Sequence, residues 1–288
     1  MAKAQAPEIQ QHLMDYWVGK RLGTGARSEI YEIKRRTDGR LSAAKFVQVR
    51  GPEDARIIGH LENEYKVLSA IQKSHTTGVA IAVRVEEFKK IKHLFKVLGA
   101  YLIMERLTGI ALVARPGYPL DALLTIFRQV CLGIEHTHQA GYVHADLKPD
   151  NILVGDALDV KIIDFGFAAP IGTQLAGSKG TFGYLAPEQA GGRLTEKTDV
   201  FNLGAALYWA LTGQNLPSIS PGQHEAVGFV ATDRVIITPP NQLNAKVPNE
   251  LSDMVLRCCQ AKPESRPTVT ELKRYLHGLQ LRLDMGAL

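Results

Sequence analysis

Eight residues in the middle of this chain read His144-Ala145-Asp146-Leu147-Lys148-Pro149-Asp150-Asn151, and Asp164-Phe165-Gly166 follows them. The carboxylate of Asp146 is a candidate general base, and Lys148 is a cation that can face a phosphate group. Asn151 and Asp164 add two hard oxygen ligands of the kind that Mg²⁺ prefers. A base, a lysine and two metal ligands in this order form the arrangement that phosphoryl transfer needs.

The composition is that of an ordinary globular protein that buries a core. Of its 288 residues, 45% are hydrophobic and 22% are charged. A chain of this length suits one large domain or two lobes. Its three cysteines are too few for a disulfide framework, and two of them are neighbours, Cys258-Cys259. We expect the cysteines to be core residues, since no Cys-x-x-Cys or Cys/His spacing indicates zinc.

The sequence predicts neither a membrane segment nor a secretion signal. No window has the run of about 18 or more apolar residues that a spanning helix needs. Residues 1–7 lack the apolar core of a signal peptide, so we expect a cytoplasmic protein. The net charge of +5 is modest and spread along the chain. It favours a solvated surface, and we expect no nucleic-acid partner.

The first third of the chain has the pattern of strands around one helix. Residues up to Tyr16 are polar and predict a mobile arm. Three strands follow, with a hairpin turn at Thr37-Asp38-Gly39-Arg40 between the second and the third. Residues 56–74 have a helical period with one apolar stripe, formed by Ile57, Leu61, Tyr65, Leu68 and Ile71. Two more strands are predicted at 81–88 and 100–104.

The remaining two thirds are predicted to be mainly helical. Residues 120–139 form a long amphipathic segment that ends before Gly141, a helix C-terminal signal. Residues 152–154 and 160–163 predict a short hairpin. The nearly apolar run 199–211 predicts a helix buried on every side. Residues 251–276 supply the final helices, interrupted at 262–267, and 217–222 is a predicted loop.

With Ala186-Pro187-Glu188 added, the motifs resemble those of the eukaryotic-like, bacterial-type serine/threonine protein kinase family, from about Val18 to Leu276. The resemblance implies an α+β, bilobal fold. A small N-terminal lobe, an antiparallel β-sheet with one helix, would occupy 17–105. A hinge would occupy 105–109 and a larger, mainly α-helical lobe 110–280. Residues 1–16 and 281–288 would be an N-terminal arm and a C-terminal tail.

In the N-terminal lobe the resemblance implies a nucleotide site. Glycines let the loop at residues 22–30 bring its backbone N–H groups close to the phosphates of ATP. Lys45 would hold the α- and β-phosphates, and Glu64 rather than Glu62 would hold Lys45. The backbone of Glu105 and Leu107 would bond the adenine, with Met104 behind it. The implied ATP-binding residues are Leu22, Gly23, Gly25, Ser28, Ile30, Ala43, Lys45, Glu64, Met104, Glu105, Leu107 and Leu153.

In the C-terminal lobe the resemblance implies that Asp146 and Lys148 are catalytic and that Asn151 and Asp164 bind the metal. Three structural roles come with it. Thr181 would bond near Asp146 and Lys148, Glu188 would pair with Arg266, and Asp199 would hold the backbone of the catalytic loop. His136 and His138 make a poor metal pair at their spacing, and we interpret them as ordinary helix residues.

Two positions depart from the family pattern. Ser28 stands where the third glycine of the phosphate loop is expected. Ala145 stands where the family commonly has an arginine that binds a phosphate on the activation loop. The segment between Asp164 and Glu188 holds Thr173 and Ser178 as candidate phosphorylation sites, and Ala145 argues against strict control by one such phosphate.

The sequence therefore predicts an ATP-dependent protein kinase that uses Mg²⁺, with Mn²⁺ as a substitute. Its substrates would be serine and threonine hydroxyls of proteins, including its own, because Lys148-Pro149 is absent from tyrosine-specific relatives. Alternative functions are a pseudokinase that binds nucleotide as a scaffold and a small-molecule kinase of the aminoglycoside type. The segment Gly180 to Glu188 argues against the latter. The stretch from Pro239 to Pro248 is similar to bacterial members and indicates a bacterial source.

Overall fold

The computed structural model describes residues 8–25, 27–51, 53–74, 82–217 and 237–286. They form two compact units: the first holds the described residues up to 72 and 83–108, and the second holds 73–74, 82 and those from 109 onward. Residue 81, where a strand was predicted to begin, and 218–222 of the predicted loop lie outside the described residues, as do 1–7 of the arm and 287–288 of the tail.

The first unit is an antiparallel five-stranded sheet with one helix, as the sequence predicts. In chain order the strands are β1 Tyr16–Thr24, β2 Glu29–Arg35, β3 Leu41–Gln48, β4 Val85–His93 and β5 Lys96–Glu105. Their order in the sheet is β1-β2-β3-β5-β4. Strands β3 and β5 hold most of the buried residues of the sheet, and each is paired with a neighbour on both sides.

The helix of this unit, α1 Asp54–Ser74, begins where a buried carboxylate satisfies backbone donors. Asp54 accepts hydrogen bonds from the N–H groups of Arg50 and Gly51, both at 2.7 Å. Leu61 and Leu68 of the predicted apolar stripe are buried. The helical period thus sets which side chains of α1 point inward.

The N-terminal segment differs from the predicted arm. A short 3₁₀ helix spans Glu8–His12. Ile9 and Leu13 are buried in a cluster with Phe46 and Ile103 of the sheet. Two apolar side chains in an otherwise polar segment show no periodicity, so the sequence does not indicate that they are buried. The segment is ordered because these two side chains pack against the sheet. The proposed boundary of the kinase domain at residue 17 stays a prediction.

The second unit is mainly helical. Its helices are α2 Leu120–Gln139, α3 Glu196–Thr212, α4 Pro240–Leu243, α5 Asn249–Cys258 and α6 Val269–Asp284. Its short strands are β6 Ile110–Ala111, β7 Tyr142–Val143, β8 Ile152–Val154, β9 Val160–Ile162 and β10 Ala169–Pro170. α2 has the predicted bounds and is followed by Gly141, whose φ of 87° favours glycine.

Helix α3 is buried on nearly every side, as its apolar sequence predicts. A side chain at Gly204 of this helix would collide with Cys258 and Cys259 at the end of α5. The absence of a Cβ at Gly204 therefore lets the two helices approach closely. All three cysteines are free and buried, which confirms that they are core residues. Burial raises the pKa of Cys258 to about 12, so its thiol is inert at neutral pH.

None of the helices formed by the described residues combines the length and the apolar character that crossing a bilayer requires.

Candidate active site

Lys45 of β3 meets a carboxylate from α1. Its Nζ lies 2.7 Å from Oε2 of Glu64, whose side chain is buried. Glu62, the other candidate, is exposed and pairs with Lys90 at 2.6 Å. Two residues apart on a helix, the two glutamates face different directions. The structure therefore brings Lys45 together with Glu64, the partner chosen from the sequence.

The glycine-rich loop joins β1 to β2, with Gly23 paired to Ile30 across the strands and Leu22 exposed beside it. The N–H of Gly25 donates to the carbonyl of Ser28 at 2.8 Å. A Cβ at Gly25 would lie 2.6 Å from Oγ of Ser28, which is buried. A glycine at 25 thus makes room for the serine that replaces the third glycine of the pattern.

The predicted hinge follows the end of β5. Met104 pairs with Ala43 of β3, and both side chains are buried. The N–H of Glu105 donates to the carbonyl of Arg84 at 2.9 Å. This contact occupies the backbone donor of Glu105, so the predicted contact with adenine would have to use its carbonyl. Leu107 lies beyond the end of the strand.

The catalytic loop, residues 144–151, is held by one buried carboxylate. Asp199 of α3 accepts hydrogen bonds from the N–H groups of His144 at 2.8 Å and Ala145 at 2.9 Å. Ala145 has a φ of 61°, a left-handed conformation that is uncommon for alanine. The two bonds to Asp199 stabilise this strained backbone. The role predicted for Asp199 is thus present in the structure.

His138 has a role that the sequence interpretation missed. The sequence predicts an ordinary helix residue at this position, but Nε2 of His138 donates to Oδ2 of Asp199 at 2.9 Å in a buried position. A buried carboxylate needs several donors to offset the loss of its hydration. His138 therefore completes the set of donors around Asp199.

Asp146 and Lys148 lie together with Thr181 of the segment between Asp164 and Glu188, which we call the downstream segment. Nζ of Lys148 is 3.1 Å from Oδ2 of Asp146 and donates to Oγ1 of Thr181 at 2.7 Å. Oγ1 of Thr181 in turn donates to Oδ1 of Asp146, also at 2.7 Å. The three side chains form a closed triangle in which each predicted partner is in contact with the other two.

Asn151 and Asp164 are brought next to one another through the backbone. Nδ2 of Asn151 donates to the carbonyl of Asp146 at 2.8 Å, and the N–H of Ile163 donates to the carbonyl of Asn151 at 3.0 Å. Asp164 follows with a φ of 63°. The ring of buried Phe165 packs on His144 with centroids 4.5 Å apart. These contacts join residues 163–165 to the catalytic loop.

The end of the downstream segment is anchored by the predicted ion pair. Arg266 donates to the two carboxylate oxygens of Glu188 at 2.6 and 2.9 Å. Its guanidinium is fully buried and also donates to the carbonyls of Lys197, Gln260 and Ala261. A buried charge of this kind is tolerated because it is paired and its other donors are satisfied.

Gln189 is a site residue that the motif analysis missed. It is completely buried, and all its amide capacity is used. Its Nε2 donates to the carbonyls of Ala145 at 2.7 Å and Lys179 at 2.8 Å. Its Oε1 accepts from the N–H of Ala186 and from Nδ2 of Asn202, both at 2.9 Å. We call these residues the Gln189 network; it ties the catalytic loop to the downstream segment and α3.

Part of this network had a signal in the sequence. Asn202 is a polar residue within the nearly apolar run that predicts a helix buried on all sides, and a buried amide must find hydrogen-bond partners. Gln189 carries no comparable signal, because it directly follows the Ala-Pro-Glu motif and precedes small residues. Gly180 makes room for it: a Cβ there would lie 2.9 Å from Nε2 of Gln189.

Residues 16–276 match the family model of the protein kinase domain. The serine/threonine-protein kinase PknB of Mycolicibacterium smegmatis is 30% identical over 278 residues, 91% of this chain and 43% of that protein. Serine/threonine-protein kinase Pkn1 of Myxococcus xanthus is 31% identical over 299 residues, 98% of this chain and 40% of that protein. A probable myosin light chain kinase of Dictyostelium discoideum is 32% identical over 208 residues, 69% of this chain and 56% of that protein.

The chain spans about two fifths of the length of the two bacterial relatives. The matched region contains every motif described above, from the glycine-rich loop to Arg266. The chain therefore belongs to the protein kinase family, in the group that holds the bacterial-type serine/threonine protein kinases.

Proposed function

We propose that this chain is an ATP-dependent serine/threonine protein kinase. The triangle of Asp146, Lys148 and Thr181 is the observation that carries the proposal. It combines a buried carboxylate with a cation at hydrogen-bond distance, next to a segment that is anchored at its far end by Glu188 and Arg266. An aspartate held in this way suits a base for a hydroxyl group.

In the proposed reaction, Asp146 accepts or orients the proton of the substrate hydroxyl. Lys148 neutralises negative charge on the phosphoryl group as it moves from ATP to that oxygen. Both roles are electrostatic and depend on position, which is where most of the catalysis of phosphoryl transfer comes from. Thr181 keeps the two side chains in register by donating to one and accepting from the other.

ATP would be held by residues of the first unit. Lys45, supported by Glu64, is the proposed ligand of the α- and β-phosphates. The backbone of the loop at Gly23, Gly25 and Ser28 would approach the phosphates. The side chains of Leu22, Ile30, Ala43 and Met104 would contact the adenine, and the carbonyl of Glu105 and the backbone of Leu107 would bond it.

The residues present fit a magnesium ion. Nδ2 of Asn151 is fixed by the carbonyl of Asp146, so its Oδ1 faces the other way. With the carboxylate of Asp164, it gives the hard oxygen donors that Mg²⁺ and Mn²⁺ prefer. A bound Mg²⁺ would supply positive charge that offsets the negative charge of the phosphates. The protein's part is to hold these two donors next to each other through the bond from Ile163 to Asn151.

The proposed substrates are serine and threonine side chains of proteins, this chain included. The reason is the pair Lys148-Pro149, which tyrosine-specific relatives lack. We propose a cytoplasmic site of action, where ATP is supplied and where free, buried thiols such as Cys258 stay reduced. The alternative is a pseudokinase that binds ATP without transferring phosphate.

One experiment separates these two functions. The purified chain is incubated with γ-labelled ATP, Mg²⁺ and a generic basic protein, and label on serine, threonine and tyrosine is measured after acid hydrolysis. We expect label on serine and threonine, and none with Asp146→Asn. ATP binding measured by thermal shift without any transfer of label would instead identify a pseudokinase. Replacing Mg²⁺ by Mn²⁺ tests the metal.

A further inference from the structure

The turn between β4 and β5 carries two large apolar side chains at an exposed tip. Leu94 is 83% exposed and Phe95 is fully exposed. Leu94 also has a φ of 52°, the left-handed region in which hairpin turns normally place glycine or asparagine. In the same sheet, the turn between β2 and β3 uses Gly39 at a φ of 73°. The tip thus keeps a strained leucine where the neighbouring turn has a glycine.

Basic side chains surround this tip. Lys92, His93 and Lys96 are exposed, and among the described residues none of them takes part in an ion pair. Lys90, by contrast, is paired with Glu62. The acidic residues of β4, Glu86 and Glu87, lie at the other end of the strand, roughly 20 Å from the turn at about 3.3 Å per residue.

We propose that this hairpin tip, Leu94 and Phe95 with the surrounding lysines and His93, binds the surface of an anionic lipid bilayer. The two apolar side chains would enter the boundary between headgroups and acyl chains. The cations lie just behind them, at the level of the anionic headgroups. The apolar side chains at the apex would thus reach the acyl chains, while the cations behind them would stay at the depth of the anionic headgroups. This order matches the layers of a bilayer surface.

The shape of the tip favours a lipid surface over a protein partner. A two-residue turn is convex. Its apolar side chains can insert into an anionic bilayer without a matching pocket, whereas a protein partner would need one. Two inserted side chains give weak binding, so the charges must contribute, and binding should weaken with salt. The contact would bring the chain to a membrane reversibly, and it does not depend on the catalytic activity proposed above.

The test is sedimentation of the full chain with vesicles of phosphatidylcholine alone and of phosphatidylcholine mixed with phosphatidylglycerol. We expect binding to the anionic vesicles at low salt, little at high salt, and little to the neutral vesicles. Leu94→Gly with Phe95→Ser should lower the affinity at least tenfold. Glycine suits the left-handed φ at 94, so this variant should fold with an unchanged or higher melting temperature.

Matched variants elsewhere on the surface are the controls. Lys92→Glu with Lys96→Glu should abolish binding, whereas Lys246→Glu with Lys262→Glu, the same charge change at exposed sites in the second unit, should leave most of it. Leu243→Ser with Met285→Ser removes two other exposed apolar side chains and should have no effect. Equal losses in tip and control variants, or no binding of the wild type to anionic vesicles, would overturn the proposal. Retention on immobilised polyglutamate without vesicle binding would favour an acidic protein partner.

Discussion

The two units hold their functional charges in different ways. In the first, Lys45 meets the carboxylate of Glu64, a contact between side chains of a strand and a helix. In the second, Asp146 belongs to a network in which hydrogen bonds of side chains to one another and to the backbone join the catalytic loop, the downstream segment and α3. The ion pair of the first unit depends on which face of α1 lies against the sheet. The network of the second unit requires many buried polar groups to find hydrogen-bond partners at once, so a substitution in it should affect both activity and folding.

The largest effect is expected at the centre of the second unit. Asp146→Asn removes the proposed base while keeping the size of the side chain, and should lower kcat by about a thousandfold, since general bases contribute roughly 10²- to 10⁴-fold. ATP binding should be retained. The control is Asp150→Asn, an exposed neighbour in the same loop. Steady-state phosphorylation rates and ATP titrations check this, and a variant with near-normal kcat would remove Asp146 from the mechanism.

A substitution in the Gln189 network tests whether its buried hydrogen bonds position the catalytic loop. Gln189→Glu keeps the shape but turns an anionic oxygen toward the carbonyls of Ala145 and Lys179. We expect kcat to fall by about 10- to 100-fold, about 1.4–2.8 kcal/mol, with the KM for ATP little changed. The melting temperature should also fall, because buried carbonyls lose their donors.

Gln174→Glu is the matched control for this change, since Gln174 lies in the same segment and is exposed. It should leave kcat and melting temperature unchanged. If Gln189→Glu lowers stability but not kcat, the network supports the fold and does not position the catalytic loop.

In the first unit, a single ion pair between Lys45 and Glu64 takes the place of such a network. Glu64→Gln should weaken the hold on Lys45 and lower kcat/KM by about tenfold or more, since one charge-assisted bond contributes about 1.5–3 kcal/mol. Glu62→Gln should change it by less than about twofold, because exposed ion pairs are weak. Kinetics at varied ATP concentration compare the two variants. Equal losses would show that the face of α1 is misassigned.

The smallest effect is expected for phosphorylation of the downstream segment. Ala145 has no charge to receive a phosphate, while Gln189 and the pair Glu188–Arg266 hold the segment without one. Phosphatase-treated protein, Thr173→Ala and Ser178→Ala should therefore keep their activity within about threefold of the untreated wild type, a difference of less than about 1 kcal/mol. A dephosphorylated protein that is inactive would contradict this and point to Lys161 or Lys179 as a substitute for the arginine.

Local patterns were enough to predict the sheet and helix of the first unit and the long helices of the second. The apolar stripe of α1, the bounds of α2 and the buried character of α3 follow from the spacing of apolar residues. Asp146, Lys148 and Asn151 stand in one octapeptide, so their proximity is encoded locally, and the hairpin of β8 and β9 returns the chain to Asp164. The same spacing separated Glu64 from Glu62.

Contacts between distant segments were beyond these patterns. His138 meets Asp199, and Gln189 meets Ala145, across long stretches of chain, and neither contact leaves a period in the sequence. The sequence predicts that Ile9 and Leu13 belong to a mobile arm, but in the structure they are buried against the sheet. The carbonyl of Arg84 occupies the N–H of Glu105, which limits what the hinge can donate.

By itself the sequence determined the presence of five strands and one helix in the first unit, the bounds of α2, and the grouping of Asp146, Lys148 and Asn151 in one loop. The tertiary structure decided how those groups are held, through the donors around Asp199, the Gln189 network and the exposure of Leu94 and Phe95. The reason is physical: backbone periodicity acts over a few residues, whereas the satisfaction of buried polar groups depends on whichever segments the fold brings together.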